Sequence, residues 1–131
     1  MFLSKILLAT AMLFSFHAMG ERQANQKETA VNFSQIFVQK INLEDETVLV
    51  LTNGFFPNSC YEWSHSSVSH PTPYVHEVRG FANVTQDICL MMIQPFTQDI
   101  RIGRLEPGTH TVRVINGDGT RFEKEIIVEA E

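Results

Sequence analysis

From residue 33 onward the chain is a succession of short apolar runs broken by turn residues. "SQIFVQKI" carries Ile36 and Val38 on one face, with Phe37 and Ile41 on the other. "ETVLVLTNG" is rich in β-branched residues and stops at Asn53-Gly54. "YVHEVRGF" alternates Tyr74, His76 and Val78 against Val75, Glu77 and Arg79. "QDICLMMIQP" is apolar on both faces, the pattern of a central strand, which assigns Met91 and Met92 to the core. "TQDIRIGRL" alternates Ile100 and Ile102 against charge, and "HTVRVI" runs into the hairpin signal "NGDG". "RFEKEIIVEA" follows with Phe122, Ile126 and Val128 in register. After residue 21 no stretch sustains a 3.6-residue apolar period. The pattern predicts an all-β, antiparallel sandwich of about seven strands.

The start of the chain changes the picture of where that sandwich works. "MFLSKILLATAMLFSFHAMG" places Lys5 before an apolar run from Ile6 to Phe16, with Ala18 and Gly20 at the −3 and −1 positions of a small-residue cleavage site. This reads as a secretory signal peptide over residues 1–20. The run is well short of the roughly 20 residues a membrane span needs. Residues 21–32 are polar and aperiodic and are expected to form a flexible leader, leaving 33–131 as the sandwich domain. Removing Lys5 leaves nine of the ten basic residues against fifteen acidic ones, a net charge near −6. That balance argues against nucleic acid or anionic lipid as a partner. No membrane span is expected after cleavage, and the chain is placed in the periplasm or outside the cell.

A resemblance enters at "IGRLEPGTHTVRVING", residues 102–117. It is similar to the late part of fibronectin type III and related immunoglobulin-like domains, where a Pro-Gly turn precedes a tyrosine and an alternating valine strand. The wider spacing "GFFPNSCYEW … CLMMIQPF … IGRLEPGTHTVRVING" resembles small exported bacterial domains of unassigned role, over about residues 46–117. The resemblance implies an immunoglobulin-like or fibronectin III-like sandwich with one disulfide, and it supplies no catalytic residues. His110 stands where that pattern has tyrosine. A corner tyrosine buries its ring and bonds its hydroxyl to nearby backbone. Histidine keeps a hydrogen bond but fills less volume, so His110→Tyr is expected to be stabilising.

The two cysteines, Cys60 and Cys89, are expected to pair, as exported chains with two cysteines do. The alternatives are a metal thiolate or a nucleophile. Zinc-finger spacing is absent, and no histidine follows Cys89 until His110, as a blue-copper loop would require sooner. Three histidines, His65, His70 and His76, lie in and just beyond the Ser- and Pro-rich "SHSSVSHPTP". They are read as a solvated loop, with a copper or zinc site as the alternative. Tyr61, Trp63 and Tyr74 bracket the same loop and form either a binding surface or edge packing. With no paired-carboxylate, triad or phosphate-loop pattern, the expected function is that of a non-catalytic binding or accessory module without a cofactor. Its partner is expected to be a protein or another cell-envelope component. The alternative is a periplasmic copper- or zinc-handling protein built on the three histidines.

Overall fold

The computed structural model describes residues 26–40 and 47–130. The signal segment 1–20, residues 21–25 of the leader, and Ile41 lie outside the described residues. Eight strands and no helix are present among those described: β1 (Gln26–Ala30), β2 (Phe33–Lys40), β3 (Thr47–Phe56), β4 (Tyr61–Thr72), β5 (Val75–Thr85), β6 (Gln94–Arg104), β7 (Gly108–Ile115) and β8 (Arg121–Val128).

The strands form two layers. One sheet has the order β2-β3-β6; the other contains β1, β4, β5, β7 and β8. The sandwich expected from the alternation is therefore present, with three differences. First, Gln26–Ala30, inside the stretch read as a leader, pairs with β5 as strand β1. Second, the histidine-bearing stretch is not a loop but the twelve-residue strand β4, paired with β5 from Tyr61↔Val84 to Thr72↔Val75. Third, the sheet is not purely antiparallel. Because β4 covers one edge of β5 along its length, β1 and β7 share the other edge end to end. The β5–β7 pair runs parallel, with His76 opposite Val112 and Val78 opposite Val114.

The core follows the two-residue period of each strand. Val48 and Val50 from β3, Ile100 and Ile102 from β6, Val78 from β5, and Val112 and Val114 from β7 are all buried. At one end an aromatic cluster crosses between the sheets: the Phe96 ring stacks 4.3 Å from Phe56 and lies 5.8 Å from Trp63, and Phe33 leans on both Trp63 and Phe96. Gly80 makes room for it, since a Cβ there would lie 2.6 Å from the Phe33 and Trp63 rings.

The "NGDG" hairpin closes β7 onto β8 as the pattern predicts, with Gly119 at φ +90. The same turn locks the layers. Asn116 Oδ1 accepts the Phe33 amide at 2.9 Å, and the Gly117 amide donates to Val31 O. The chain crosses from β1 in one sheet to β2 in the other at this point.

Candidate functional site

Two features rise above the general packing: a line of imidazoles inside the sandwich and an apolar loop outside it. The histidine line follows from the parallel pair. Alternation along β5 puts His76 in phase with Val78, and alternation along β7 puts His110 in phase with Val112 and Val114. The register His76↔Val112 then makes the two imidazoles diagonal neighbours on the inner face. Both are buried, at 2% and 0% exposure. His76 Nε2 lies 2.8 Å from His110 Nδ1, His76 Nδ1 lies 2.6 Å from His70 Nδ1, and His110 Nε2 lies 2.6 Å from the Glu106 carbonyl oxygen.

The carbonyl fixes the proton arrangement, because it can only accept. His110 therefore donates from Nε2 and, when neutral, accepts at Nδ1 from His76 Nε2–H. Neutral His76 in turn accepts at Nδ1 from His70 Nδ1–H. All three neutral rings are satisfied by one directional chain, which ends at the exposed His70. Burial, reinforced by the neighbouring His70 and His110, lowers the His76 pKa from 6.5 to about 4. A cleft of about 250 Å³ opens beside the chain, lined by His70, Pro73, His76, Arg104, Leu105 and Glu106.

The predicted trio does not converge. His65 is exposed, stacks 4.9 Å from Phe81, and lies 3.3 Å from Glu28 on β1, away from the chain. His70 and His76 meet each other and His110 instead. Among the described residues no group of three or more His, Cys, Asp or Glu is arranged to hold a metal ion. His110 was expected to keep a hydrogen bond to nearby backbone, and it bonds the carbonyl oxygen four residues upstream. Its place in a histidine chain was carried by a signal available in the sequence: His76 and His110 share phase with buried valines.

The aromatic residues also divide. Tyr61 stacks on Phe56 at 5.7 Å and Trp63 packs into the aromatic cluster, so both serve the core edge. Tyr74 is exposed, with its ring 5.0 Å from His110.

The second feature corrects the central strand read at "QDICLMMIQP". Residues 86–93 form an irregular loop between β5 and β6. The β3–β6 ladder ends at Phe56↔Gln94, and beyond Phe56 the chain turns through Pro57 to Cys60, leaving residues 88–93 without a strand beside them in this ladder. Met91 and Met92 are accordingly not core: Ile88, Leu90, Met91, Met92 and Ile93 are 96%, 66%, 84%, 57% and 72% exposed. The loop is nonetheless held. Cys89 is bonded to Cys60, with 5.4 Å between Cα atoms. The Leu90 amide donates to Ser59 Oγ at 2.8 Å, and Leu90 O accepts the Ser59 amide at 3.0 Å.

With both features in place, the comparison with known proteins can be stated. A family model for the ORF11 beta-sandwich domain matches residues 50–127, from within β3 to near the end of β8. The chain belongs to that family. No curated protein and no solved structure matches it. The matched span of the ORF11 beta-sandwich includes both cysteines, the whole histidine chain and the apolar loop, while β1 and β2 fall outside it.

Proposed function

We propose that this ORF11 beta-sandwich is an exported, non-catalytic binding module of the periplasm or cell surface that docks through the loop Ile88–Ile93. The observation that carries the reading is the pinned apolar loop. Five bulky aliphatic side chains held in water by a disulfide and two hydrogen bonds to Ser59 gain nothing for the fold of the isolated chain. Burial against a partner would recover their transfer free energy, and the pinning lowers the ordering cost of docking. Leucine, isoleucine and methionine also adapt to a partner's shape. A Cys60–Cys89 disulfide is compatible with an oxidising compartment, in keeping with the signal peptide read at residues 1–20.

The test is a photo-crosslinking side chain placed at position 91 in the producing cell, with position 67 on the exposed edge of β4 as the control. A discrete adduct in the envelope fraction from position 91, absent from position 67, is the expected outcome. Equal or absent adducts from both positions would remove the loop from the binding surface.

A further inference from the structure

We propose that the partner docked on Ile88–Ile93 is a second copy of this chain, brought together about a two-fold axis; the proposal rests on the loop being the binding surface. Three observations favour this occupant. The first is size. Complete burial of these five residues would remove at most on the order of 700 Å² per copy, a little below the roughly 800 Å² that each partner contributes to a standard interface. The second is the pattern of the loop itself. A two-fold interface sets the same patch of both copies together, so that where one residue meets another the converse contact is made as well. With the axis between Leu90 and Met91 and the loops crossing antiparallel, "ICLMMI" would pair Ile88 with Ile93, Leu90 with Met91, and Cys89 with Met92, and because the whole run is apolar any other register also keeps the contacts apolar. Asp87 then meets Gln94 of the partner subunit rather than a like charge.

The third observation is electrostatic. Residues 55–60 and 86–95, which make up the loop and its support, contain no Lys or Arg. A bilayer surface would draw on such cations for its phosphates, and at this end the neighbouring strand β1 adds only Lys27, opposite Val84, to an acidic chain. An uncharged apolar contact lets two acidic copies meet without burying a charge. The hydrogen bonds that hold the loop run inward to Ser59, so docking costs little rearrangement.

Sedimentation equilibrium of the disulfide-intact protein tests the proposal. A dimer forming at tens of micromolar is expected, the range for an interface of this size without strong anchors. Met91→Asp should weaken it at least tenfold, and the Ile88→Ser, Leu90→Ser double variant should do the same. At concentrations well below those that form the dimer, both variants should keep the parent's melting temperature, since these side chains support nothing beneath them. A chain that stays monomeric throughout, or a dimer that neither variant disturbs, overturns the proposal. Crosslinking from position 91 separates its failure from that of the underlying reading. An adduct of twice the chain mass supports the dimer. An adduct with a different protein, or flotation on phosphatidylethanolamine–phosphatidylglycerol vesicles, overturns the dimer but keeps a docking loop. No adduct and no flotation removes both.

Discussion

His110 is held at both ring nitrogens, and that reverses what its position in the sequence implies. Read as a corner residue short of a tyrosine, it invites His110→Tyr as a stabilising change. Its ring is fully buried, and Nδ1 accepts from His76 while Nε2 donates to Glu106 O. Tyrosine would leave the buried His76 Nε2–H without its acceptor and add volume to a filled site. We expect a loss of about 1–3 kcal/mol in urea unfolding near pH 7.5. A gain would mean the hydroxyl restores what the imidazole supplied. The same chain makes stability depend on pH. The folded-state pKa of His76 is lowered from 6.5 to about 4, chiefly by burial and then by His70 and His110. The unfolded chain therefore binds more protons between those values. The contribution is complete above about pH 6.5 and is lost as pH falls toward 4. Unfolding at pH 7 and pH 5 should differ by roughly 2 kcal/mol from this group. His76→Gln, which keeps a donor toward His110 and does not titrate, should flatten that dependence; an unchanged slope would assign it to other groups.

At the scale of elements, the strands with a clean two-residue alternation were the legible ones. β5, β6 and β7 bury His76 and Val78, Ile100 and Ile102, and Val112 and Val114 as their patterns assign, while β8 buries Val128 and leaves Phe122 and Ile126 half-buried. β4 was not legible because Ser, His and Pro carry no apolar stripe; its place in the sheet comes from backbone pairing with β5, which composition does not display. The opposite error occurred at residues 88–93. Their apolarity imitates a buried strand, but the neighbouring ladder ends at Gln94 and the disulfide at Cys89 fixes a loop. Cysteine pairing itself was readable from the count of two, given the export expected from residues 1–20. Its energetic weight is that of a closed segment with a sequence separation of 29, about 3–4 kcal/mol on the chain-entropy account. Cys89→Ser should lower stability by that order while leaving the far-ultraviolet circular dichroism of the sheets intact. It should also open residues 86–93 to limited proteolysis at a rate the parent does not show, because one of the loop's restraints is gone. Resistance equal to the parent would mean that the hydrogen bonds to Ser59 hold the loop unaided.

For the whole molecule, a two-layer sandwich was legible from periodicity alone, whereas the way its layers are joined was not. The parallel β5–β7 pair and the passage of β1 into β2 depend on which edges are free after β4 has paired, and no local pattern records that. One residue ties these long-range choices together. Asn116 is buried in the β7–β8 turn, accepts the Phe33 amide at 2.9 Å, and donates from Nδ2 to Thr120 Oγ1 at 3.0 Å. It thus joins the first strand of one sheet to the closing hairpin of the other, 83 residues away in sequence. Asn116→Ala leaves the Phe33 amide buried without an acceptor, a cost of about 1–3 kcal/mol. In a domain of this size that should lower the melting temperature by roughly 4–8 °C per kcal/mol. Asn116→Asp keeps the acceptor and loses only the donor to Thr120, so it should cost less than the alanine variant. That ordering separates a link between sheets from a turn preference. If Asp and Ala are equally damaging, the bond to Thr120 within the hairpin is what matters. If alanine costs under about 0.5 kcal/mol, the typical effect of an ordinary surface change, Asn116 does not couple the layers.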